Sequence, residues 1–388
     1  MLDRHLTLHE LRRFSNNSAT RDERIVVVRH LLAGCETCAR LAANVFHLAP
    51  KEDQFVSSLE ALSVTDQRSR RVTEEEFQEI AAEKLLGWNQ WACLETLPVE
   101  ERLRAVRSSR QLQNRGLLCR LLEASKCARR DSPREGVAVA LLALEIAYLL
   151  RAEKYGDPIV ADLRSNAWTS LAIARRMAGS YDDCQAAIEK AWAEHRRSSR
   201  DPLRRVELIS IEASLSSNRR DHRTAETLLA KALDVCREAG NRHLEGKILV
   251  QMGGVVSRVA PERSLEVTRR SMRLIDPADQ RLELYARHNL AYALNSAGRP
   301  GEALETLISA KPLYRRFNDS ETRIRLVWLE GRILRSLGNL DAAVGLFEQV
   351  WSSFRRLDLY NEMELVSIEL AWTHAKQHSC ELGPPPIM

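Results

Sequence analysis

The sequence predicts an all-α protein: a small helical module, a linker, and then an α-solenoid of antiparallel helix pairs. Three observations point there. Small residues recur at a spacing of about 40 through the C-terminal two thirds. Glycine (16) and proline (12) are sparse and stand mostly at the ends of apolar stripes. Capping boxes, in which a threonine is followed three residues on by a glutamate, open several of those stripes. A chain of 388 residues with 44% hydrophobic and 29% charged residues exceeds one ordinary core and is too apolar to be disordered.

In chain order, Thr7/Glu10 and Thr20/Glu23 are the first two capping boxes. They predict a helix over 8–14 and a second over 21–33, with Asn16-Asn17-Ser18 as the turn. Gly34 suits the left-handed residue that stops a helix, and a third helix follows over 38–46. Leu8, Leu11, Phe14, Val27, Leu31 and Leu32 supply its only sizeable apolar faces. That is too little for a stable isolated core, and small domains of this size usually fold around a metal or a disulfide.

The same stretch holds the chain's only concentration of metal-binding side chains. Cys35 and Cys38 are two residues apart, and His30 lies about a turn earlier, so two thiolates and an imidazole can converge on one tetrahedral zinc ion. The fourth ligand comes from upstream. His5 precedes the first helix, where the chain is free to turn towards the metal, and is favoured. His9, inside that helix, is the alternative. The expected site is therefore one structural Zn2+ held by His5, His30, Cys35 and Cys38. No neighbouring general base suggests a catalytic metal. The rest of the eight cysteines sit singly in helical patterns, as buried thiols of a reducing compartment.

His5, the first helix, His30, Cys35 and Cys38 together resemble the zinc-finger module of zinc-containing anti-sigma factors. That resemblance covers residues 1–48 and implies a small helical bundle that binds an alternative sigma factor of RNA polymerase. Four residues, rather than that family's usual three, separate His30 from Cys35, and the first ligand is His5 where the family often has cysteine. Redox-sensing members switch through a first-helix cysteine, and none stands here, so thiol-based release is not expected.

Residues 49–73 are polar and read as a linker, with one weak helix around 55–62. Thr73 and Glu76 open the next helix, whose stripe runs through Phe77, Ile80, Leu85, Trp88, Trp91 and Leu94; the two tryptophans read as core. Residues 74–382 form the repeat domain and 383–388, Gly-Pro-Pro-Pro-Ile-Met, a disordered tail. Aligned on the small residue early in each second helix, Ala140, Cys184, Ala225, Ser264, Ala303 and Ala343 are spaced by 44, 41, 39, 39 and 40. Asp201-Pro202 and Asp276-Pro277 are read as starts of first helices and Ser132-Pro133 as the start of a second. Residues 363–376 form a last helix.

Trp168-x-x-Leu171-Ala172 with Gly179-Ser180-Tyr181, Leu290-Ala291 with Gly298 and Ala303, and Gly331 with Gly338-Asn339-Leu340 and Ala343 resemble tetratricopeptide repeats. The family's period is 34, so each pair here carries about one extra turn. Stacked pairs bury faces that no single pair can bury, and they leave a concave groove. The resemblance implies that this groove holds a peptide or a partner helix. His288, Tyr292 and Arg332 are candidate groove residues, with packing roles equally open. The lysine-and-asparagine carboxylate clamp of chaperone-binding members is not recognisable.

No glycine-rich phosphate loop, catalytic triad or metalloprotease motif occurs, so no enzyme is expected; His374 and His378 lack the glutamate that such a motif needs. The net charge of +5 is spread along the chain. Base-reading helical repeats keep a tight period with a fixed polar pair, which these do not, so nucleic acid is not the expected partner. No secretory signal or membrane span is visible and the protein is expected to be cytoplasmic. The expected function is a non-enzymatic regulatory scaffold, binding a sigma factor or related transcription component at the module and a second protein in the groove. The alternatives are a pure adaptor with structural zinc and an RNA-binding repeat protein.

Overall fold

The computed structural model describes residues 5–15, positions 20, 23, 27, 38 and 41, and residues 74–257 and 259–381. Among the described residues every regular element is a helix. They are α1 (Leu8–Ser15), α2 (Glu74–Leu94), α3 (Val99–Ser108), a 3-10 turn (Arg110–Leu112), α4 (Arg115–Asp131), α5 (Pro133–Leu149), α6 (Ala152–Tyr155), α7 (Asp157–Met177) and α8 (Tyr181–His195). There follow α9 (Pro202–Asn218), α10 (His222–Glu238), α11 (Arg242–Val256), α12 (Pro261–Met272), α13 (Gln280–Ser296), α14 (Pro300–Arg316), α15 (Ser320–Ser336), α16 (Leu340–Arg356) and α17 (Tyr360–Glu381). The expected helices over 21–33 and 38–46 fall mostly outside the described residues, although Glu23, Val27, Cys38 and Leu41 are helical. The linker and the tail lie outside them.

The chain divides into two compact units. The first comprises Met1–Cys127, Gly136–Leu171 and Ala193–Asp201; the second comprises Ala128–Glu135, Ala172–Trp192 and Pro202–Met388. In the first, α2 and α4 touch backbone to backbone. A Cβ on Gly116 would overlap the Glu83 carbonyl, and one on Gly87 would overlap the Gly116 carbonyl. Around this crossing Glu83 accepts from Tyr155 Oη at 3.0 Å, pairs with Arg115 at 3.2 Å and with Lys154, and Asn114 caps α4 by accepting from Leu117 N at 2.9 Å. Trp91 is core, as expected. Trp88 is half-buried, with the Arg120 guanidinium 3.8 Å over its ring.

The second unit is the solenoid. The small residues that set the sequence period are its packing points: Cys184, Ala225, Ser264, Ala303 and Ala343 are all fully buried, as is Ala140 of the first unit. They let the two helices of a pair close up, and Ser264 Oγ donates to the Gly253 carbonyl at 2.8 Å across one such contact. Fully buried leucines such as Leu229 then contribute roughly 1.5–3 kcal/mol each.

Helix starts and stops are written in local chemistry. Asp221, Asn241, Asp279, Asp319 and Asn339 accept from the backbone N–H three residues on, at 2.9–3.4 Å. Gly179, Gly240, Gly298 and Gly338 end helices at φ 77°, 64°, 75° and 89°, each followed by an amide that reaches back five residues. Arg220 (φ 65°) and Asp358 (φ 56°) make the same turn with a Cβ, at a cost of about 1 kcal/mol each. The expected helix start at Asp276-Pro277 is corrected: Asp276 instead caps a turn, accepting from Ala278 N at 2.9 Å, and α13 starts three residues later behind Asp279. Ser132-Pro133 and Asp201-Pro202 do precede α5 and α9.

Candidate functional site

At the N-terminus the Thr7/Glu10 box forms as read, with Thr7 N donating to Glu10 Oε2 at 2.8 Å and Glu10 N to Thr7 Oγ1 at 3.2 Å. This fixes the start of α1 and leaves His5 just ahead of it. His5 Nδ1 lies 3.5 Å from Cys38 Sγ, and the Leu6 backbone N–H donates to the same sulfur at 3.1 Å. Leu6, Leu11, Val27 and Cys38 are buried, whereas His9 is exposed on α1. A tetrahedral zinc with Zn–S near 2.3 Å and Zn–N near 2.05 Å separates such a nitrogen and sulfur by about 3.5 Å. An amide N–H on the sulfur is the kind of outer contact that supports a thiolate ligand. The pair thus fits two of the four positions. His30 and Cys35 lie outside the described residues, and among the described residues no three His, Cys, Asp or Glu side chains converge. His374, at the other end of the chain, is exposed and its Nδ1 lies 3.0 Å from Gln377 Oε1.

The second candidate site is the inner wall of the solenoid unit. Successive first helices (α11, α13 and α15) approach one another directly, while the second helices between them splay, so the first helices line the concave side. Side chains lock this wall. Gln251 of α11 bonds Ser210 and Ser214 of α9 at 2.6–2.7 Å, and Asn289 of α13 donates to the Val250 carbonyl at 2.8 Å. Between α13 and α15 runs a ladder of stacked pairs, with Arg325 5.6 Å over Tyr285 and, two turns on, Arg332 5.0 Å over Tyr292. Within the same unit the run of helices returns on itself. Ser320 N donates to Asp131 Oδ1 at 2.8 Å, Arg134 pairs with Asp358 at 3.0 Å, and Gly179 faces Asn361.

That return brings a set of charges near one another. Arg325 keeps 48% of its side-chain surface, and Glu321, 3.1 Å away, holds its charge in place. Arg176 is the opposite case. Burial disfavours its guanidinium more than Glu321 and its other neighbours compensate, and it donates to the neutral Asn218 Oδ1 at 3.0 Å. Arginine stays charged regardless, so the arrangement favours an incoming anion. Burial raises the Glu362 carboxyl, with Arg176 opposing, and Glu362 Oε2 makes no hydrogen bond. Tyr181 is raised by burial and by Glu362, and its hydroxyl accepts from Asn218 Nδ2 at 3.3 Å.

The groove residues suggested by the sequence are mostly structural. His288 sits 2.7 Å from Tyr314 Oη and burial, with Arg325 and Arg332 nearby, pushes it down to about 3. Arg332 is bound to Glu369 at 2.7 Å. Arg176, Tyr285, Arg325 and Glu362 escaped the sequence reading. The i, i+7 register shared by Tyr285/Tyr292 and Arg325/Arg332 was a findable signal for the ladder, but nothing local marks Arg176 or Glu362. Burial raises the thiols of Cys184 and Cys236 to about 11 and that of Cys93 to about 12, so these three are not poised as nucleophiles. No described helix is long and apolar enough to cross a membrane.

The architecture is that of a tetratricopeptide-like helical repeat array. No family model and no curated protein matches the chain. Among solved structures it is similar to aspartyl phosphate phosphatase F from Bacillus subtilis, with 13% identity, a TM-score of 0.56, and coverage of 96% of this chain and 90% of that one. It is also similar to a Rap protein solved in complex with competence and sporulation factor, with 13% identity, a TM-score of 0.51, and coverage of 92% and 99%. These likenesses show the fold.

Proposed function

We propose that this chain is a non-enzymatic, cytoplasmic regulatory scaffold whose inner wall holds a protein partner as an extended peptide or a helix. The observation that carries this reading is Arg176, a half-buried cation bonded to a neutral amide and set near Arg325 and the unbonded Glu362 oxygen. A peptide carboxylate and backbone would satisfy those groups, and the stacked Tyr285 and Tyr292 offer apolar faces beside them. That a similar fold was solved bound to a partner molecule is in keeping with this use. RNA is the weaker ligand, because Glu321, Glu362 and Glu369 share the wall with the arginines and would repel phosphates.

A second reading concerns the N-terminus. The His5–Cys38 approach supports a module organised by one structural zinc, and the resemblance to anti-sigma modules supplies a sigma factor or related transcription component as its partner. In the plainer adaptor version, zinc only folds the module and recognition lies wholly in the groove. Affinity capture with the tagged full-length chain separates these. Loss of a captured protein in Arg176→Ala/Arg325→Ala supports the groove reading, and loss of a sigma factor in Cys35→Ser/Cys38→Ser supports the module reading. Capture unaffected by the first variant contradicts the groove reading.

A further inference from the structure

Helix α17 is apolar on two sides. Val366 and Thr373 of α17 are fully buried, and Met363 and Leu370 pack on the preceding core. Each earlier first helix is covered on its far side by the next. Glu369 of α17, for example, closes over Arg332 and Arg335 of α15. A solenoid face that no further repeat covers is normally polar. The side of α17 turned away from that core instead carries Ile368 (61% exposed) and the exposed Ala371, and at its margin Trp372 (56% exposed), one indole face of which lies under Arg335 of α15 at 4.3 Å.

The charges flanking this patch are arranged with opposite sign at its two ends. Glu364 stands one turn before Ile368, and Lys376 stands one turn after Trp372, its ammonium 6.0 Å from the indole. We propose that this face is the interface between two copies of the chain, pairing α17 antiparallel with α17 about a two-fold axis near residues 369–371. In that arrangement Ile368 of one copy meets Trp372 of the other, and Glu364 meets Lys376, each twice, as an isologous contact requires. A parallel pairing would set Glu364 against Glu364 and Lys376 against Lys376, so charge fixes the orientation as well as the occupant.

Sedimentation velocity of the full-length chain over a range of concentrations tests this. The wild type should show a monomer–dimer equilibrium, and Ile368→Asp, on an exposed site that leaves the core intact, should weaken it by at least about tenfold, a loss of roughly 1.4 kcal/mol. Glu364→Lys alone and Lys376→Glu alone place like charges opposite each other and should each weaken the dimer, whereas the double swap restores it. A wild type that stays monomeric throughout overturns the proposal. So does a double swap no tighter than the two single swaps combined, with circular dichroism confirming that all variants are folded.

Discussion

The Ser320 amide donates a 2.8 Å hydrogen bond to Asp131 Oδ1, tying the first turn of α15 to the end of α4. With the Arg134–Asp358 pair it holds the helices of the second unit in their returned path. Both contacts are exposed and each is worth no more than about 1 kcal/mol. Asp131→Ala/Arg134→Ala should therefore leave helix content unchanged while amide exchange at Ser320 accelerates and the radius of gyration rises in small-angle scattering. Unaltered protection at Ser320 would show that the bond does not restrain this turn.

Gly116→Ala should be among the most destabilising single changes in the chain. Its new methyl group meets the Glu83 carbonyl, which is backbone and cannot swing aside, so α2 and α4 must separate. A cost of about 3 kcal/mol or more is expected, read as a drop in the chemical-denaturation midpoint. Gly345→Ala, where a Cβ meets nothing within 4 Å, is the control and should be neutral or slightly stabilising.

His288 should make stability depend on acid. Its folded pKa is pushed down to about 3, below an unfolded value near 6.5, so the unfolded chain takes up the proton first. Its contribution is intact above pH 6.5 and is lost as the pH falls from there towards 3. Between pH 7 and 5 the loss should be about 1–2 kcal/mol. Replacing it with glutamine should flatten that part of the stability–pH profile, and the nitrogen chemical shifts of His288 should show a neutral ring at pH 5.

The zinc site proposed for the N-terminus makes a prediction that separates His5 from His9. The full-length protein should carry one zinc per chain by elemental analysis. His5→Ala and Cys38→Ser should lower that content, whereas His9→Ala, on the exposed side of α1, should keep it. Equal metal content in wild type and Cys38→Ser would remove the site.

Much of the fold is legible in residues that act locally. The Thr7/Glu10 box, the caps at Asp221 and Asn339, the left-handed Gly179 and Gly338, and the buried Cys184 and Ala303 each announce their role through type and spacing. What could not be read is what depends on distant neighbours. Asp276 and Asp279 look alike as caps, and only packing of the buried Leu282 and Leu284 decides between them. Arg220 sits in a glycine's conformation without being glycine. The Gly87–Gly116 crossing, the Asp131–Ser320 bond and the approach of Arg176 to Glu362 join segments far apart in the chain, and no local pattern encodes them.

The central claim, that the inner wall holds a partner, is tested most directly by photocrosslinking in the source cell. A photoreactive phenylalanine analogue replaces Tyr285 on the inner wall or, as a control, the exposed Glu348 on second helix α16. The account predicts a discrete protein or peptide adduct from position 285 that disappears when Arg176→Ala is added, and none from position 348. Adducts from 348 alone, or an adduct at 285 indifferent to Arg176, would contradict it.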